Sequence, residues 1–145
     1  MTPLPLRLPP GSDLRLALES ALRSEGLSGG FVVSGIGSLS EVRIRFAAAT
    51  DDSRLAGPFE LLSLAGSVSP DGAHLHMVVA DANGAVSGGH VSYGNVVRTT
   101  AEILLQPLPG WRLSRAWDPE TGFKELVIDS DGQPGQGPGE RLPGF

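Results

Sequence analysis

The segment EVRIRFAAA, starting at Glu41, limits the fold most tightly, because its first six residues alternate strictly between charged and apolar. Val42, Ile44 and Phe46 point one way and Glu41, Arg43 and Arg45 the other, which is the period of a strand with one buried and one wet face. A helix would scatter these side chains around its axis. Similar strand signals recur in FVVSGIGSL from Phe31, GPFELLSLAGSV from Gly57, HLHMVVAD from His74 and AVSGGHVSYG from Ala85. They continue in VVRTTAEILLQPL from Val96, WRLSRAW from Trp111 and FKELVI from Phe123, with turns expected at DANG and DPETG.

One segment has helical spacing instead. In DLRLALESALRSEG, Leu14, Ala17, Leu18, Ala21 and Leu22 fall on one face, Ser12 or Asp13 can cap the start, and Gly26 supplies the stop. Before it, Leu4 to Leu8 alternates around Pro5 and Arg7, which suits an edge strand because proline cannot donate into a central ladder. Gly66 reads as a bulge or a point of close backbone approach. The expected fold class is α+β: a mostly antiparallel sheet flanked by one main helix and a short second one. Residues 1–128 are expected to form a single domain, and 129–145, rich in Gly and Pro with no periodic apolar face, a flexible tail.

Composition removes several function classes. The net charge is −5, Lys124 is the sole lysine, and the arginines are scattered, so the clustered positive charge that drives phosphate-backbone binding is missing. Cysteine is absent, so any metal must be held by nitrogen and oxygen. Prolines interrupt the N-terminal MTPLPLRLPPGSD where a signal peptide needs an apolar core, and no apolar run approaches membrane-spanning length; a cytoplasmic protein is expected. The fragment Gly35-Ile36-Gly37 lacks the third glycine and the opening helix of a dinucleotide site, position 40 being Ser. Ser34 and Ser38 have no neighbouring base to activate them as nucleophiles.

All three histidines, His74, His76 and His90, lie within one short span. On a strand, His74 and His76 leave the same face with attachment points roughly 7 Å apart. Whether His90 joins them depends on the hairpin between them. A two-residue turn at Asn83 and Gly84 would set His90 opposite Met77, on the other face. A three-residue loop, Ala82 to Gly84 with Gly84 left-handed, would set His90 opposite His76; a bulge at Gly88 or Gly89 could also shift the register.

If clustered, three neutral imidazoles match the protein part of an open metal site, with zinc the first candidate and a remaining position for water or substrate. The alternative is two sheet-surface histidines and a third bonded to a carbonyl. The glycines before His90 would leave room for a ligand. Candidate supporting groups are Glu102, Asp81 and Arg98: Glu102 as a base, as an acceptor for a ligand's N–H, or as a plain exposed strand residue, and Asp81 as a base. Tyr93, Trp111 and Trp117 are candidates for pocket walls or for packing.

Taken in order, LRLPPGSDL, SGIGSLSEVRIR, GPFELLSLAGSVS, AHLHMVVADANGAVSGGHV and TAEILL resemble the PPC domain, named for its presence in plants and prokaryotes. The likeness runs from about Pro5 to Ala116, with Pro58 where the family usually has Arg. The resemblance implies an antiparallel sheet flanked by helices, a homotrimer, and a metal such as zinc at His74, His76 and His90. Plant members add AT-hook segments that bind DNA, but no Arg-Gly-Arg-Pro core occurs here. In those proteins the segment matching Gly57 to Leu62 contacts partner proteins. Three functions are therefore weighed: a trimeric metal-binding domain for a small molecule or protein partner, a metal-dependent enzyme with Glu102 or Asp81 as base, and a DNA-associated regulator, which the charge disfavours.

Overall fold

The alternation at Glu41 forms the end of a long strand, β2 (Gly30–Arg45), with Val42 and Ile44 fully buried and Glu41, Arg43 and Arg45 on the opposite face. Phe46 departs from the expected pattern. It follows the end of β2 and is 40% exposed, because the chain turns there into a loop instead of continuing the ladder. The computed structural model describes residues 2–130 and 133–136. Around β2 are β1 (Leu4–Leu8), β3 (Ser53–Ser69), β4 (Gly72–Asp81), β5 (Val86–Val91) and β6 (Val96–Pro107), all antiparallel, in the spatial order β1-β6-β2-β3-β4-β5. As Pro5 suggests, β1 lies at an edge.

One pairing makes this more than an open sheet. The end of β2 also pairs with β5, Ile44 opposite Val91 and Arg45 opposite His90, so β2, β3, β4 and β5 close on one another at that end. Asn95, with no exposed surface, locks the closure: its Oδ1 accepts the Arg43 N–H at 2.8 Å, and its Nδ2 donates to the carbonyls of Arg43 and Ser92. A buried amide that satisfies backbone groups on two segments fixes their relative position.

The helix α1 (Leu14–Ser24) starts at Asp13, whose Oδ1 accepts the Leu16 N–H, and Gly26 follows its end at φ 64°. Its Leu14, Leu18 and Leu22 are completely buried, in one core cluster with Leu75, Met77, Ile103 and Leu105 of the sheet. Each such side chain contributes about 1.5–3 kcal/mol by leaving water. Among the described residues α1 is the one helix, so the short second helix expected from sequence is not found. Glu19 of α1 is buried yet satisfied, accepting from the Ala73 N–H at 2.9 Å, Arg15 Nε at 3.1 Å and the Tyr93 hydroxyl at 3.0 Å. It ties the helix to the start of β4.

The last strands, β7 (Trp111–Asp118), β8 (Phe123–Ser130) and β9 (Gln133–Gln136), form a separate three-stranded sheet rather than extending the first. Leu113 anchors β7, its N–H donating to the Ser28 carbonyl, and Arg115 Nη2 donates to Ser67 Oγ of β3 at 2.9 Å. The expected tail boundary at residue 128 falls inside β8, and β9 pairs with β8 inside the expected tail. A backbone ladder along an edge needs no apolar periodicity, which is why composition missed it. The remainder of that tail, 137–145, lies outside the described residues.

Gly66 is the close-approach point expected from sequence. At φ 138°, a Cβ there would run into the His74 carbonyl oxygen and the Leu75 Cα across the β3–β4 pair. Replacing Gly66 by alanine is expected to cost about 2–4 kcal/mol, through left-handed strain and forced strand separation. Urea denaturation of the Gly66→Ala variant measures it, and a change within experimental error would show that the strands part freely.

Candidate metal centre

The hairpin between β4 and β5 closes with the three-residue loop. The Asp81 N–H donates to the Ala85 carbonyl at 2.9 Å, and Gly84 sits left-handed at φ 80°. The Asp81 carboxylate accepts the N–H groups of Asn83 and Ala85 at 2.8 and 2.9 Å, stabilising this loop over the two-residue alternative. His76 therefore faces His90. Because Ala73, Leu75, Met77 and Val79 take the core side of β4, His74 and His76 leave from the outer face, and the β2–β5 pairing sets Arg45 beside His90.

The three rings converge, with centroids 5.0–5.5 Å apart. Their ligand nitrogens all lie within 4.8 Å of one another. The Nε2 atoms of His74 and His76 are 3.1 Å apart, a spacing that suits either an N–H···N hydrogen bond or two ligands of one ion. A tetrahedral ion with zinc–imidazole bonds holds its ligands roughly 3.3 Å apart, so the donor set fits such a cation.

The electrostatics keep the lone pairs free. Burial pushes the His90 imidazole down to about 4, aided by the charges of His74, Arg45, His76 and Arg15. His74 is lowered too, by burial, then by Arg115 and His76, with Glu125 opposing. At neutral pH both rings are unprotonated and able to bind a metal. The histidines open into a cleft of about 1310 Å³ between the outer face of the sheet, the loop after Phe46 and the start of β8.

Other residues singled out from sequence sit elsewhere. Asp81 is committed to its hairpin, and neither it nor Glu102, an exposed β6 residue opposite Arg7 and Ile36, lines the cleft. Arg98, Trp111 and Trp117 are exposed and outside it. Tyr93 is also outside, its ring stacked under the Arg15 guanidinium at 4.3 Å. Ser38 is buried with its Oγ bonded to Thr99, and Ser34 is exposed; neither lines the cleft.

Gly88 and Gly89 do border the cleft, but backbone proximity is what requires them. A Cβ would lie 2.8 Å from the Met77 carbonyl oxygen at Gly88 and 2.7 Å from that of Arg45 at Gly89. The residues that sequence reasoning missed are Arg15, Arg45, Arg115 and Glu125. Arg45 carried a usable signal, standing on the polar face of the alternating strand; Arg115 carried none, since a second sheet brings it in.

The depressed histidines predict a pH dependence in the metal-free protein. A histidine with a folded value near 4 and an ordinary unfolded value near 6.5 binds fewer protons when folded between those limits. Stability thus rises with pH across that window and falls as pH drops from 6.5 toward 4. Thermal melts in chelator should show a shallower decline for His90→Gln than for the unaltered chain. Equal slopes would show that His90 is not held neutral by the fold.

Comparison with known proteins agrees with the fold. A Synechococcus protein named "Bifunctional protein GlmU" is 50% identical over 124 residues, which cover 86% of this chain and 20% of that protein. The chain thus spans about a fifth of the length of the curated relatives it matches. The hypothetical protein of Salmonella enterica superposes with a TM-score of 0.86 at 35% identity, covering 89% of this chain and 94% of that one. A structure described as the metal-containing protein AF0104 of Archaeoglobus fulgidus superposes with a TM-score of 0.76 at 29% identity, covering 86% and 92%. The profile of one family matches residues 1–109, through β6 and the whole histidine hairpin, and the chain belongs to that family, the Plants and Prokaryotes Conserved (PCC) domain.

Proposed function

We propose that this chain is a homotrimeric metal-binding domain in which His74, His76 and His90 hold one divalent cation, zinc by preference, for a small molecule that enters the cleft. The observation that carries the reading is the convergence of three imidazole nitrogens within 4.8 Å on adjacent strands. The description of the Archaeoglobus relative as metal-containing supports it. Three nitrogen donors leave a bound cation open for a further ligand, and such a cation would polarise an oxygen atom placed on it. The protein's part is to keep His74 and His90 neutral and the rings in place: His76 and His90 face each other across one ladder, and His90 is fixed again by β2. An enzymatic reading has less support, since Asp81 and Glu102, the bases it would use, stand outside the cleft. A DNA-associated role is opposed by the net charge of −5.

Assembly is supported by the outer face of the sheet. Val33, Ile36, Leu62 and Val86 stand there, each about half exposed or more. Apolar surface gathered on one sheet face marks a contact with another chain, and a symmetric copy is the simplest partner.

Protein purified without chelator should carry one divalent ion per chain by elemental analysis. His90→Ala should weaken its binding by more than about a hundredfold in a chelator competition, the loss of a direct ligand exceeding that of a supporting group. Stoichiometric metal bound equally by the variant would overturn the assignment. Light scattering should give three times the 15.1 kDa chain mass, with Ile36→Lys shifting the mass downward. A monomer at all concentrations would refute the trimer.

A further inference from the structure

The charges lining the cleft do not balance. Arg15, Arg45, Arg115 and Lys124 face two carboxylates, Asp71 and Glu125. Arg15 is matched by Glu19, 3.1 Å away, and one Asp71 oxygen is occupied by the Arg115 backbone N–H at 2.9 Å. Arg45 and Arg115 make no ion pair among the described residues. Both are partly buried, and both are oriented by one hydrogen bond that leaves further donors unused: Arg45 Nη1 to the Ala49 carbonyl at 3.3 Å, and Arg115 Nη2 to Ser67 Oγ at 2.9 Å. Glu125 offsets part of the cost of burying Arg115 without pairing with it; a guanidinium withdrawn from water with incomplete compensation is costly, and its planar fork matches the two oxygens of a carboxylate or phosphate.

The two arginines flank the imidazoles through the backbone. Arg45 lies directly opposite His90 in the β2–β5 pair, and Ser67, which orients Arg115, lies directly opposite His74 in the β3–β4 pair. The lining also has an apolar part, contributed by Phe46 and the methyl groups of Ala47 and Ala48. We infer that the cleft takes a small organic acid, carboxylate or phosphate, whose anionic oxygens meet the bound cation together with Arg45 and Arg115 while its carbon body lies against the loop after Phe46. This rests on the metal reading above, and it names the class of ligand.

Cobalt(II) reports both steps, because its visible absorption appears on coordination by the imidazoles and changes when another ligand joins. The cobalt-loaded protein is titrated at constant ionic strength with malonate, with inorganic phosphate and with neutral acetamide. The expected result is a saturable change with malonate, with phosphate or with both, which identifies the preferred acid group, and none with acetamide. In Arg45→Gln and Arg115→Gln the apparent dissociation constant should rise about tenfold or more, the loss of one charge-assisted pair, with cobalt affinity retained. Arg45→Lys should recover part of the loss. If Arg115→Gln fails to fold by circular dichroism, the Arg45 variants decide the matter. Cobalt binding without any response to the anions, or glutamine variants that titrate like the unaltered chain, would overturn the inference and leave the metal site standing. Absence of cobalt binding would overturn both.

Discussion

The structure depends on the second partner of β5. A short, glycine-bearing edge strand is held weakly when it has one neighbour, yet β5 is gripped by β4 along its length and by the end of β2 at Val91 and His90. That closure follows from side chains far apart in sequence. Val91 fills the core beside Ile44, and the Asn95 amide bonds both backbone polar groups of Arg43, so β2 cannot separate from the β5–β6 connection without breaking two hydrogen bonds of a fully buried amide. His90 inherits its rigidity from this junction, which is why a hairpin residue near a sheet edge can serve as part of a metal centre.

The same junction explains the glycines. Closing four strands on one another brings backbone against backbone, and Gly88 and Gly89 stand where a side chain would strike the carbonyl oxygens of Met77 and Arg45. Gly66 does the equivalent on the other side of β4, where the chain passes the His74 carbonyl. Glycines around the histidines thus serve the closure first, and the space they leave at the cleft is a consequence.

Much of this was legible in the sequence because it is local. Alternation located the end of β2, the cap and face of α1 followed from Asp13 and its leucines, and loop composition reduced the histidine hairpin to a few registers, between which the Asp81 carboxylate decides in the structure by holding the wider turn. What was not legible is non-local. Nothing within Glu41 to Arg45 announces that β5 will lie beside it, and nothing in WRLSRAW announces that Arg115 will cross to Ser67. Asp81 and Glu102 were plausible partners for the imidazoles as carboxylates near them in sequence or on a neighbouring strand. The fold uses the first to shape a turn and turns the second outward on β6. Both stand outside the cleft because it is assembled from two sheets and a loop, which proximity in sequence does not report.

The arginines also bear on how the centre would work. A positive field beside the histidines has two opposed effects: it adds to burial in disfavouring imidazolium at His90 and His74, which keeps their donor nitrogens free, and it disfavours a divalent cation, which must enter the same field. An anion bound between Arg45, Arg115 and the cation relieves the second effect without undoing the first. Binding free energies linked in this way are reciprocal, so the anion that strengthens metal retention is held more tightly by the metal-loaded form to the same degree. A site with balanced charge would grip the cation alone and ignore what lies beside it. With Arg45 in no ion pair among the described residues and Arg115 only partly offset by Glu125, the proposed centre would favour the cation and the anion together.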